Sequence, residues 1–113
     1  MTTPRVGQSA RGSRSGRPIM VLLDLLGRRA ALRVLWELRA EALNFRALQE
    51  AAATNPALLN TRLKDLRDAG VVDHAEGGYF LTDAGRGLMQ ALHPLSAWAD
   101  AWGRGAARGK RPR

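Results

Sequence analysis

The sequence contains no cysteine, which excludes disulfide staples, thiolate metal sites and thiol-based redox sensing at once. It contains no apolar run approaching the ~20 residues that a membrane-spanning helix needs. The first 17 residues also lack the apolar stretch of a secretory signal, so a cytoplasmic location without membrane contact is expected. Acidic side chains are missing from both ends. Residues 1–17 carry Arg5, Arg11, Arg14 and Arg17, and residues 104–113 carry Arg104, Arg108, Lys110, Arg111 and Arg113, with no Asp or Glu in either stretch. All ten acidic residues therefore lie in 18–103 beside nine basic ones, and the net charge of +8 resides in two tails around a near-neutral middle. Such tails suit a polyanion such as nucleic acid; keeping the protein soluble is the other use of this charge.

With 113 residues, 45% of them hydrophobic, the chain has material for one modest core and one domain. Residues 1–17 and 104–113 are too polar to offset their ordering entropy and are expected to be disordered basic tails flanking a domain at 18–103. Order begins at Pro18, suited to a first helical turn. Ile19, Leu22, Leu23 and Leu26 follow at helical spacing, Met20, Val21 and Leu25 fill much of the other face, and Gly27 ends the helix. A short helix that is apolar nearly all round needs cover on more than one side, which a second subunit would supply. A second helix is expected over 28–40, with Ala31, Val34, Leu35 and Leu38 inward and Leu32 and Trp36 widening the stripe, Trp36 as a core residue. Asn44 caps a third helix over 46–53, with Phe45, Leu48 and Ala52 inward. Asn55 and Pro56 supply the N-cap and first residue of a fourth helix that Gly70 stops.

Two strands, 71–75 and 79–82, flank Gly77-Gly78, which reads as a two-residue hairpin turn. Thr82 or Asp83 caps a last helix bearing Leu88, Met89, Leu92, Leu95, Trp98 and Trp102, which Pro94 should kink or split. Trp98 and Trp102 share one face near the chain end, with little of their own domain left to pack on. They point to a partner subunit, as the first helix does. A homodimer interface of Ile19, Leu22, Leu23, Leu26, Leu95, Trp98 and Trp102 is the resulting expectation, with Met20, Trp98 and Trp102 as a possible pocket there for a small apolar effector.

The third and fourth helices, joined by about three residues, fit a helix-turn-helix. Three helices, a two-stranded β-hairpin and a long helix, in that order, make the mainly α layout of a winged helix. On the fourth helix Leu59, Leu63 and Leu66 form the core side, and Ala57, Thr61, Lys64 and Asp68 lie opposite. The second helix of a helix-turn-helix enters the major groove with its N-terminal residues at base edges. That favours Asn55, Ala57 and Thr61 for bases, Ala57 against a thymine methyl, and Lys64 for phosphate, beside the free N–H groups of the helix N-terminus that opens with Pro56. The same polar side would also serve simply as a solvated face. Arg14, Arg17, Arg108, Lys110 and Arg111 are the tail groups available to phosphates. His74 and His93, with scattered carboxylates, make no metal spacing, and Gly85 and Gly87 lack the rest of a dinucleotide fingerprint. A binder is expected, without cofactor or catalysis.

Several stretches resemble the HxlR-type regulators. Leu22-Leu23-Asp24-Leu25-Leu26-Gly27-Arg28-Arg29 is similar to their opening helix, and Asn44-Phe45-Arg46-Ala47-Leu48 to the segment that leads into the helix-turn-helix. Leu58-Leu59-Asn60-Thr61-Arg62-Leu63-Lys64-Asp65-Leu66 and Ala69-Gly70-Val71-Val72 resemble the recognition helix and its exit, and Tyr79-Phe80-Leu81-Thr82-Asp83-Ala84-Gly85 the exit from the wing. The resemblance covers about residues 19–102; single pieces recur in MarR-like and other winged-helix families. It implies a bacterial transcriptional regulator, acting at the nucleoid as a homodimer joined through its first and last helices, each subunit reading a half-site. It adds Arg62 to Asn55, Ala57 and Thr61 in the DNA-reading segment. The sequence departs from the pattern at Ala30, where tryptophan is usual, in a short wing with Asp73 and Glu76 and no arginine, and in lacking the cysteine that some relatives use for redox sensing. Two other uses are compatible with the residues: a winged helix for protein contact, and a non-specific nucleic-acid binder acting through its tails.

Overall fold

The computed structural model describes residues 16–107. Five helices and one hairpin follow in the order α1 (Pro18–Leu26), α2 (Ala31–Glu37), α3 (Phe45–Ala51), α4 (Pro56–Asp68), β1 (Val72–Ala75), β2 (Gly78–Leu81) and α5 (Asp83–Ala107). This is a winged helix-turn-helix. Residues 1–15 and 108–113 lie outside the described residues, and so does most of each expected tail. The boundary at 103 moves, because α5 continues through Arg104 to Ala107.

Local signals set several boundaries. Pro18 and Pro56 occupy first turns, where their missing N–H costs nothing. The Asn44 and Asn55 side chains accept the Ala47 and Leu58 N–H groups, each at 2.8 Å, and so satisfy donors that helix starts leave free. The Thr82 hydroxyl accepts from the Gly85 N–H at 3.1 Å and caps α5. That helix runs without a break across Pro94, so the expected split does not occur.

The core forms where the leucine stripes converge. Leu25, Leu26, Val34, Leu35, Leu38, Leu48, Leu59, Leu63 and Leu66 are buried together, and Val72 and Leu81 close the cluster from the hairpin. Helix α2 is its centre, packing against α1, α3, α4 and α5. Three expectations change here. First, α2 is shorter than 28–40, because Ala30 adopts a left-handed backbone (φ 73°) and the chain turns before the helix begins. Second, Trp36 is not a core residue. It is 40% exposed beneath the Arg39 guanidinium, which lies 3.8 Å from its ring centroid. Third, α1 turns Val21, Leu25 and Leu26 into the domain, with Leu22 half-buried against them. Leu26 is thus part of the subunit's own core, and Ile19 and Leu23 remain outside.

The hairpin register also differs. Ala75 pairs with Gly78, so the turn is Glu76-Gly77 and Gly78 is the first residue of β2. A bridge from Leu43 to Tyr79 adds a third backbone segment to the wing, with bonds of 3.0 Å and 2.8 Å. Gly78 (φ 111°) is required there because a Cβ would stand 2.5 Å from the Leu43 carbonyl oxygen. The second glycine of the pair answers to this close approach rather than to the turn.

Candidate nucleic-acid interface

Between α3 and α4 the chain turns through Ala52–Asn55, with Ala53 at φ 53°. This is one residue more than the expected three. Leu59, Leu63 and Leu66 of α4 are buried, which decides the side of the helix that faces the core. Pro56, Ala57, Asn60, Thr61 and Lys64 are exposed on its outer side. Asn55 stands exposed at the N-terminal end; with its oxygen engaged as the cap, its amide N–H groups are the part that can donate elsewhere. The Thr61 hydroxyl donates to the Ala57 carbonyl at 3.1 Å, leaving its oxygen as an acceptor. Lys64 Nζ pairs with Asp68 at 3.0 Å in the open. An exposed pair of this kind is worth ~0–1 kcal/mol, little enough for a phosphate to displace it.

Arg62 is not arranged as an outward-facing base or phosphate reader. Its side chain is 16% exposed, its Nε–H donates to the Arg29 carbonyl at 2.7 Å, and its Nη1 lies 3.1 Å from Asp65 Oδ2. The same oxygen receives Arg28 Nη1 at 3.1 Å, and Arg28 Nη2 reaches Asp24 Oδ2 at 3.2 Å. The reason is geometric. The flank of α4 that carries Arg62 and Asp65 faces the turn between α1 and α2, where a guanidinium that points inward has partners. Helical spacing within α4 contains no sign of this, because Arg28 and Asp24 arrive from more than thirty residues away.

The remaining charges near α4 are largely balanced. Arg67 pairs with Asp73 of β1 at 3.7 Å, and the wing also carries exposed Glu76. His74 stacks on Tyr79 with ring centroids 4.2 Å apart. Among the described residues Arg29, Arg39, Arg46 and Arg104 are exposed cations without an ion pair, Arg39 lying over the Trp36 ring and Arg104 at the far end of α5. Arg46, in the first turn of α3, is a phosphate candidate that sequence reasoning missed. Its place two residues after the Asn44 cap was the available signal, since the first helix of a helix-turn-helix crosses the nucleic-acid backbone. Of the tail candidates, Arg17 is exposed just before α1; Arg14, Arg108, Lys110 and Arg111 lie outside the described residues.

Away from this face, Ile19, Leu23, Leu95, Trp98 and Trp102 are exposed large apolar residues, Trp98 at 60%. The two indoles stack with centroids 5.9 Å apart. From Ala97 to Arg104 every residue of α5 is exposed, so this half of the helix has no cover in its own domain. The apolar groove of this region runs between α2 and α5, about 410 Å³ in volume, along Leu32, Trp36, Met89, Leu92, Leu95 and Ala99. Met20, Trp98 and Trp102 do not line it. Among the described residues no cluster of three or more His, Cys, Asp or Glu is placed to hold a metal, and no helix is long and apolar enough to cross a membrane.

Comparison with known proteins agrees with this geometry. A family model described as HxlR-like helix-turn-helix matches residues 25–106. Among solved structures, a crystal structure of quinone-bound YodB from B. subtilis superposes with a TM-score of 0.68 at 26% sequence identity, covering 74% of this chain and 96% of that one. A search of curated proteins finds no match.

Proposed function

The chain belongs to the HxlR-like helix-turn-helix family and is a DNA-binding transcription regulator; from that premise we propose that it reads a specific operator as a homodimer, laying one α4 in a major groove per subunit. The observation that carries this reading is the division of α4, with Leu59, Leu63 and Leu66 buried inside and Ala57, Asn60, Thr61 and Lys64 outside. Asn55, Ala57 and Thr61 read base edges. Lys64, the Ala57 N–H, Arg46 and the tail cations, Arg14, Arg17, Arg108, Lys110 and Arg111, hold phosphates. Phosphate contacts position the protein and base contacts specify the site. The dimer forms through the uncovered apolar side chains of α1 and α5, and its two recognition helices meet half-sites about 34–36 Å apart. Such a regulator works on the chromosome, in the cytoplasm at the nucleoid.

A small apolar effector is a further part of the proposal. It sits at the dimer interface near Met20, Trp98 and Trp102, and the quinone bound to the B. subtilis protein supports a small, flat organic ligand. With no cysteine in the chain, capture through a thiol adduct is excluded.

Selection of duplexes from a random pool by the full chain tests the function. The expected product is an enriched, two-fold symmetric sequence. Binding to every duplex alike, steeply weakened by salt, would replace this reading with a tail-driven non-specific binder. No binding at all would leave a protein-contact module.

A further inference from the structure

Four ionised side chains join three elements of this fold at one point. Asp24 belongs to α1, Arg28 to the turn that follows it, and Arg62 and Asp65 to α4. Asp65 Oδ2 takes a guanidinium nitrogen from Arg28 and another from Arg62, both at 3.1 Å, and Arg28 extends the chain to Asp24 at 3.2 Å. The side chains of Arg28 and Asp65 are 17% and 8% exposed. Arg62 Nε–H also holds the Arg29 carbonyl at 2.7 Å. That carbonyl adjoins Ala30, the non-glycine residue whose left-handed backbone ends the turn; such a conformation costs ~1–2 kcal/mol and persists only where its surroundings enforce it.

Stability is a weak reason for this arrangement. The desolvation of buried ion pairs roughly cancels their attraction, and apolar replacements of the same volume are often neutral or better. Fixed geometry is what such a cluster supplies. Leucine packing sets the roll of α4 only loosely, since apolar contacts are non-directional, whereas a carboxylate shared by two guanidinium groups defines a direction. The cluster lies on the flank of α4 next to Thr61, and a cleft of about 560 Å³ brings Leu23, Gly27 and Thr61 to the same place. One end of the cluster is therefore the exposed apolar helix α1, and the other is the side of α4 that faces outward.

We infer that Asp24, Arg28 and Asp65 are positioning residues for DNA discrimination, which tie the pose of α4 to α1 and its turn. The inference rests on the reading of α4 as the DNA-reading helix. It makes operator preference depend on Asp24, a residue of another helix whose ion-pair partner is Arg28.

The test uses the full chain and duplexes selected by the wild-type protein, with a random duplex as reference at fixed salt. Asp24→Asn and Asp65→Asn are each compared with wild type for melting temperature, dimer mass and the ratio of selected-to-random affinity. The ratio is expected to fall roughly 2- to 30-fold in each, with the double variant losing little more than the worse single one because both act through Arg28. Asp65→Asn removes the charge from a buried site and can lower the folded fraction; Asp24→Asn, at the cluster's edge, then decides. A lower melting temperature with selected and random duplexes weakened in equal proportion would overturn the inference, since a merely structural cluster behaves that way. Thr61→Ala separates the two levels of failure. If it lowers the ratio and the Asp variants do not, the positioning role is wrong and the DNA-reading helix stands. If wild type enriches no duplex, the DNA reading and the positioning role fall together.

Discussion

Substitution of each glycine in the wing tip by alanine gives opposite expectations for two adjacent residues. Gly78 has φ 111°, and a Cβ there would meet the carbonyl oxygen and carbon of Leu43 and the backbone nitrogen of Asn44 at 2.5–2.8 Å. Alanine in a sparsely populated conformation costs ~1–3 kcal/mol. The obstruction is backbone, so relief requires the Leu43–Tyr79 bridge to open. That bridge consists of two hydrogen bonds, at 3.0 and 2.8 Å, each contributing ~0.5–1.5 kcal/mol net. Gly78→Ala should therefore destabilise by about 2–6 kcal/mol, or, at ~4–8 °C per kcal/mol for a domain of this size, lower the melting temperature by roughly 10–50 °C. Gly77 has open space around it and no positive φ, so Gly77→Ala should stay within ~0.5 kcal/mol. Thermal denaturation followed by circular dichroism measures both. Equal losses, or a greater loss at Gly77, would show that the turn is Gly77-Gly78 after all and that the account of the wing is wrong.

Leu66→Ala, at a wholly buried position, should cost ~2–5 kcal/mol by urea denaturation, with the slope of the transition unchanged. Asn55→Ala should remove ~1 kcal/mol through loss of the cap alone, so its effect on DNA must be read from protein shown to be folded. Deleting residues 1–15 and 108–113 should weaken all duplexes alike and reduce the salt slope of log K by ~0.9 for each phosphate no longer neutralised; a collapse of operator preference would place specificity in the tails. Light scattering at micromolar concentration should give a dimer mass for wild type and a monomer for Leu23→Glu, which places a charge on the exposed side of α1; an unchanged monomer in both would remove the dimer from the account.

Much of the fold could be read in the sequence wherever the determinants are local. Helix α4 begins and ends within a residue or two of its expected bounds because Asn55, Pro56 and Gly70 act on their own neighbours, and its leucine stripe fixes which side is buried. The misreadings share one physical cause, dependence on residues distant in sequence. Ala30 takes a left-handed backbone in a turn held by Arg62, which nothing near it signals. Gly78 answers to Leu43, thirty-five residues earlier, so the hairpin register slips by one. Leu26 and Trp36 exchange expected roles because an apolar side chain looks the same whether its cover is its own core or another surface. Arg62 has the residue type of a DNA contact and the partners of a buried brace, and only Arg28 and Asp65 together distinguish them. Arg46 escapes sequence reasoning for the opposite reason, since an exposed arginine without a partner has no pattern of its own and only its place two residues after the Asn44 cap marks it.

The central claim is that the outer side of α4 reads bases. The most direct measurement compares wild type and Thr61→Ala on the selected duplex and on a set carrying each single base-pair change, at two salt concentrations. If Thr61 reads a base, the variant loses discrimination at one position per half-site, by ~1–3 kcal/mol, keeps its preferences elsewhere, and has the wild-type salt slope. A variant that weakens evenly across all duplexes, or retains every preference, would contradict the claim.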